Sequence, residues 1–287
     1  MSDEPLARFP RVVVDVACEL ADEVSFGFFE LGASGVEVRD GMTLDRASVD
    51  GTVTLLASFA TDQEADRVCG ELDPGWNPRR DDVLGDAWRD GWKEHFRPFS
   101  LTPSILIRPP WVEVQDADDM HVLVMDPGRA FGTGLHATTR LVAQSIERNG
   151  VDGLEVLDVG CGSGVLALCA LALGARRVRA VDNDPEAVSA TLENAQRNGF
   201  VSHVDADTTD VGEIERSYPF VVANIETRVL IPMAEGLKRR VECGGTLVLS
   251  GILRDQASDV LEAYQPFVCI GRFEDSGWIA LEFRAER

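Results

Sequence analysis

Three glycines at alternate positions, Gly160, Gly162 and Gly164, separate two apolar runs, 155–159 before them and 165–173 after them. The pattern predicts a strand, a glycine-rich turn and a helix. Glycine permits the tight turn and removes the Cβ atoms that would hold a ligand away from the backbone. The spacing is G-x-G-x-G, not the G-x-G-x-x-G of dinucleotide-binding turns, and Val165 stands where a small residue would be wanted. The turn therefore predicts a nucleotide-like cofactor without choosing which one. Asp182 follows 22 residues beyond Gly160, at the end of the next apolar run. An acidic side chain at that point is placed to take a ribose diol.

A second glycine-rich stretch covers 126–139, Asp-Pro-Gly-Arg-Ala-Phe-Gly-Thr-Gly-Leu-His-Ala-Thr-Thr. It carries Gly128, Gly132 and Gly134, then Thr138 and Thr139 opening a helix over 140–149. Small residues, hydroxyls and a helix N-terminus together make a cradle of backbone donors. For His136 two readings stand: a hydrogen bond that holds the loop, or a catalytic base. Asn224 ends the apolar run 220–223. Ligands of open α/β sheets sit outside the carboxyl ends of the strands, so Asn224 is aimed at the site, with an amide that donates and accepts. Asp184 fits the start of the next helix, and Asp207 is placed to meet an adenine amino group. Cys161 reads as a small side chain that fits the turn, since no His or Asp is spaced to activate it.

The elements that must position these residues follow from the rest of the chain. The length of 287 residues and 45% hydrophobic content predict two domains with a substantial core. Residues 1–85 alternate strand, helix, strand, strand and helix patterns, with a weakly marked last strand near Val83: a small ferredoxin-like α+β domain. Residues 86–115 are rich in Trp and Pro and read as a docked connector. Four of the five tryptophans (76, 88, 92 and 111) fall in or beside it, and His95 is read as packing. Residues 116–287 alternate strands and helices and end in two strands, 267–273 and 278–284, joined as an antiparallel hairpin. A strand is also expected at 246–250, after a turn at Gly244-Gly245.

Net charge is −22, and lysine occurs only at 93 and 238. Such a chain repels nucleic acid and anionic membranes and attracts basic partners. The six cysteines include no C-x-x-C pair, no metal-ligand spacing is present and the N-terminus is acidic. The expectation is a cytoplasmic protein with reduced thiols and no metal.

The order of glycine turn, Asp182, Asn224 and terminal hairpin resembles the class I methyltransferases that use S-adenosyl-L-methionine. Their doubly wound sheet has strand order 3-2-1-4-5-7-6 with the last strand antiparallel. The stretch 126–139, together with Trp88-Arg-Asp-Gly-Trp-Lys-Glu-His-Phe-Arg-Pro-Phe and Val222-Ala-Asn-Ile-Glu-Thr-Arg-Val-Leu, resembles the ribosomal protein L11 methyltransferase (PrmA) family. That resemblance implies N-methylation of lysine side chains or the N-terminal amine of ribosomal protein L11. It implies cofactor contacts at Thr139, Gly160, Gly162, Asp182 and Asn224, with Asn224 and, second to it, His136 as catalytic residues. It also implies a substrate-recognition role for the N-terminal domain; a monomer is expected, and the acidic charge, which fits a basic ribosomal protein and not an RNA-covered ribosome, predicts that the free protein is the better substrate. The alternatives are a class I methyltransferase of another protein, which the unusual segment 226–230 permits, and a non-catalytic S-adenosylmethionine-binding assembly factor.

Overall fold

The computed structural model describes residues 8–39, 52–84, 97–114, 120–126 and 134–286. Trp88, Trp92, His95 and the central part of the second glycine-rich stretch, 127–133, lie outside the described residues. The chain divides into two compact units, 1–96 and 97–287.

In the first unit, β1 (Arg8–Ala17), α1 (Ala21–Glu30), β2 (Gly35–Arg39), β3 (Thr52–Ser58), α2 (Asp62–Glu71) and β4 (Arg79–Leu84) follow in order. The sheet order is β2-β3-β1-β4, with every pairing antiparallel. This is the expected ferredoxin-like α+β arrangement, weak last strand included. Val12, Val14 and Val16 alternate along β1 and are buried with Phe28, Leu55 and Val68. Val13 is buried as well, and the run of β-branched valines is what favours a strand here. Helix α2 begins at a capping box, in which Thr61 accepts from the Glu64 N–H and the Glu64 carboxylate accepts from the Thr61 N–H.

The second unit opens with β5 (Phe99–Thr102), β6 (Ile105–Arg108) and β7 (His121–Val124), which form a three-stranded sheet in that order. Two of these strands fall in the stretch read from sequence as a connector. Leu101, Ile105 and Ile107 are buried in the core of this unit, and the prolines that flank them hid the alternation. Trp76 packs against the core of the first unit, and Trp111 is 37% exposed.

Helix α3 (Ala137–Asn149) leads into the main sheet. Then come β8 (Glu155–Val159), α4 (Val165–Ala172), β9 (Arg177–Val181), α5 (Pro185–Arg197), β10 (Val204–Asp207), β11 (Tyr218–Asn224), α6 (Thr227–Arg239), β12 (Val241–Leu253), α7 (Ala257–Ala263), β13 (Val268–Asp275) and β14 (Trp278–Arg284). The sheet order β10-β9-β8-β11-β12-β14-β13 is 3-2-1-4-5-7-6 when counted from β8. β14 runs antiparallel to both its neighbours, as expected for the class I methyltransferase sheet. One correction concerns β12, which starts at Val241 and not near Thr246. The strand continues through Gly244-Gly245, and its pairing with β11 jumps from Tyr218–Val241 to Phe220–Thr246. The diglycine is a bulge within the strand and not a turn before it.

The parallel strands are near-continuous apolar runs because helices cover both faces. Val156, Leu157, Val221, Val222, Leu247 and Val248 are all fully buried. Their carboxyl ends bring Asp158, Asp182, Asn224 and Ser250 to one edge of the sheet.

Candidate active site

The glycine turn is fastened to the end of β9. The Gly160 and Cys161 N–H groups donate to the Val181 carbonyl at 2.8 and 3.2 Å. The Gly162 N–H donates to Asp182 Oδ2 at 2.9 Å, and Asp182 Oδ1 accepts the Asp184 N–H at 3.1 Å. Each oxygen keeps acceptor capacity beyond that single bond. Asp184 in turn caps α5 by accepting the Glu186 N–H at 2.8 Å.

Two of the turn's glycines are required by the protein itself. Gly160 and Gly164 have φ of 73° and 80°. A Cβ on Gly160 would lie 2.9 Å from Ile225 Cγ2, and one on Gly164 would lie 2.9 Å from the Thr191 side chain and 3.1 Å from its Cα. The sequence reading credited these glycines to close approach of a ligand. Packing of Ile225 and Thr191 against the turn is a second demand on the same atoms.

Asn224 and Thr139, 85 residues apart, are brought together. Asn224 Nδ2 donates to Thr139 Oγ1 at 3.3 Å, and Thr139 is 1% exposed. The bond turns the amide so that its donor end meets α3 and Oδ1 faces elsewhere. His136 stands at the N-cap of α3. Its Nδ1 accepts from the Thr138 N–H at 3.3 Å and lies 2.8 Å from Thr138 Oγ1. The ring meets Trp278 edge-on, with centroids 5.0 Å apart. An ion pair between Arg140 and Asp275 at 2.9 Å joins the same helix end to the terminal hairpin. The Arg140 guanidinium holds the Asp275 carboxyl below the usual carboxylate range.

Asp158, which the sequence marks only as the end of an apolar strand, has a role of its own. It is fully buried at the base of the turn, where Oδ2 accepts the Ala167 N–H at 3.1 Å. Oδ1 is buried with no hydrogen-bond partner among the described residues. Burial pushes this carboxyl up to about 7, and the charge of Asp182 adds to the effect. Between its ordinary value of 3.8 and that value the folded chain holds a proton that the unfolded chain has lost. Stability from this group therefore falls as pH rises through that window and is level above it. In the ligand-free protein, the melting-temperature advantage of Asp158→Asn over the parent is expected to grow from pH 5 to pH 8. A difference that stays constant across that range would show that Asp158 remains charged throughout.

Helix α5 supplies residues that the sequence reading also passed over. Thr191 Oγ1 donates to the Gly162 carbonyl at 3.0 Å, and Asn194 Nδ2 donates to the Ser163 carbonyl at 2.9 Å. Asn198 clamps β7 by bonding both the N–H and the carbonyl of Val124 at 2.8 Å. The signal available was polar residues at 191, 194 and 198, a helical spacing, on a helix following a glycine turn.

Asp207 ends β10, where Oδ2 takes Arg179 at 2.6 Å and Oδ1 the Thr209 N–H at 2.9 Å; like those of Asp182, its oxygens keep further acceptor capacity. All six cysteines are free thiols, and burial pushes the Cys161 thiol well above its ordinary value. A thiol so held is not a nucleophile. Among the described residues no cluster of three His, Cys, Asp or Glu side chains could hold a metal, and no helix is long and apolar enough to cross a membrane.

The family model for ribosomal protein L11 methyltransferase (PrmA) matches residues 8–286. The ribosomal protein L11 methyltransferase of Sorangium cellulosum (strain So ce56) is 46% identical, covering 97% of this chain and 96% of its own. That of Citrifermentans bemidjiense is 33% identical, covering 96% and 97%. Among solved structures, the ribosomal protein L11 methylase of Lactobacillus delbrueckii subsp. bulgaricus superposes with a TM-score of 0.63 at 31% identity, over 67% of this chain and 100% of that one. With the strand order, the glycine turn and the Thr139–Asn224 pair already in place, these matches are decisive: the chain belongs to the ribosomal protein L11 methyltransferase family.

Proposed function

We propose that this chain transfers methyl groups from S-adenosyl-L-methionine to lysine side-chain and N-terminal amines of ribosomal protein L11. The observation that carries the reading is the meeting of Asn224 with Thr139 at the strand edge that also holds the glycine turn and Asp182. In this reading Gly160, Gly162, Asp182, Thr139 and Asn224 hold the cofactor. When bound, the cofactor supplies an activated methyl group on a sulfonium.

Held there, it would give up that methyl group in line to a neutral acceptor amine, the electron pair of the S–C bond staying on sulfur. The product ammonium then gives its proton to water. Little covalent chemistry is left for the protein, so alignment and exclusion of water are its contribution. Asn224 Oδ1 and a neighbouring backbone carbonyl accept N–H bonds from the amine and aim its lone pair. Nδ2 is held by Thr139, which sets the amide the right way round for this role.

His136 is assigned here to the helix cap and not to proton removal, because its Nδ1 already receives the Thr138 N–H. His136→Gln is expected to lower stability by about 1 kcal/mol, in the range of a lost N-cap. The shape of the pH–rate profile should not change. Loss of a profile limb in that variant would make His136 the base.

The net charge of −22 favours a basic protein as acceptor and disfavours an RNA-covered surface. Free L11 should therefore be methylated faster than L11 assembled into ribosomal subunits, at equal concentration and low salt. The reverse order would refute the free-form preference. A titration with S-adenosylhomocysteine and with a nicotinamide dinucleotide tests the cofactor assignment, and binding of the second alone would overturn it.

A further inference from the structure

One side chain joins the two glycine-rich stretches. Asn194 is 1% exposed, in the middle of α5. Its Nδ2 donates to the Ser163 carbonyl inside the glycine turn at 2.9 Å, and its Oδ1 accepts the Asp126 N–H at 3.2 Å. Asp126 is where the chain leaves β7 and enters the second glycine-rich stretch. Arg197, one turn further along α5, donates to the same Oδ1 at 3.0 Å and reaches the Asp126 carboxylate at 3.4 Å. Thr191 and Asn198 stand above and below on the same helix face. The first bonds Gly162 and the second clamps Val124.

The amide therefore has its donor on one stretch and its acceptor on the other, and a buried amide resists leaving either end unpaired. Stabilising the turn drags the amide, and the amide drags the Asp126 N–H. We propose that Asn194 is a positioning residue that couples the cofactor turn to the entry of the second glycine-rich stretch, so that cofactor occupancy steadies the backbone at Asp126. This rests on the cofactor assignment made above.

The test uses the full chain and S-adenosylhomocysteine as the probe. In the parent protein, saturating probe should slow hydrogen exchange at the Asp126 amide at least about fivefold, the lower end of measured couplings. Asn194→Asp keeps the acceptor toward Asp126 and Arg197 but turns an oxygen toward the Ser163 carbonyl. In that variant the probe should change Asp126 exchange less than about twofold. Unaltered Asp126 exchange in the parent, which needs no variant to fold, overturns the proposal, and so does full slowing in Asn194→Asp. A parent chain that binds no S-adenosylhomocysteine would instead refute the cofactor assignment, and the coupling with it.

Discussion

Replacing Asn224 with alanine is expected to lower turnover on free L11 by about a hundredfold or more, the scale at which loss of aligned polar contacts slows group transfer. The variant removes the acceptor that aims the amine and the donor that holds Thr139. Its fold should survive, because Asn224 sits half-buried at the end of β11 and the strand below it is held by Phe220, Val221, Val222 and Ala223. Steady-state kinetics should place the loss in kcat. Thr139→Val is the control: it breaks the same bond from the other side and leaves the Asn224 acceptor in place, so its effect should be several-fold smaller. Turnover of Asn224→Ala within a few-fold of the parent would remove Asn224 from the mechanism.

Gly251→Ala should be the most damaging single substitution for the fold around the site. Gly251 has φ of 84°, and a Cβ there would lie 2.4 Å from the Ile225 carbonyl oxygen and 2.7 Å from its carbon. Backbone atoms cannot swing aside as a side chain can. Left-handed strain and overpacking together amount to about 3–5 kcal/mol. In a unit of this size that lowers the melting temperature by roughly 10 °C. Relief by moving Ile225 would displace its neighbour Asn224 and lift the Ile225 side chain from Gly160, so activity should fall together with stability. Gly244→Ala is the contrast. Its φ is 77°, but nothing lies within 4 Å of the added Cβ, so it should cost only about 1–2 kcal/mol, from backbone strain alone. Equal melting temperatures for the two variants would show that the contact with Ile225 is not what demands glycine at 251.

Most of the architecture was legible because it is written in local patterns. A run of valines marked β1, three glycines marked the turn after β8, and the Gly277 turn between two apolar runs marked the hairpin that closes the sheet. What escaped the reading has a common physical cause: the information lies in partners distant in sequence. Leu101, Ile105 and Ile107 form strands because β6 pairs with β5 on one side and β7 on the other, although prolines at 98, 103, 109 and 110 suggested a connector. β12 runs through a diglycine because β11 accommodates the bulge. Asp158 carries no local sign that it is buried, and Asn194 looks like any polar residue of a helix until Ser163 and Asp126 are placed beside it. The residues with glycine, strand-end or helix-start signatures were visible, and those that hold them in place were not.

The measurement closest to the central claim is methyl transfer itself. Purified protein is incubated with free ribosomal protein L11 and S-adenosylmethionine labelled in the methyl group, and the product is digested and mapped by mass. Label is expected on L11 at lysine side chains or the N-terminal amine, abolished or greatly reduced with Asn224→Ala. Label confined to another protein or to RNA, or no transfer by a chain that demonstrably binds S-adenosylmethionine, would contradict it.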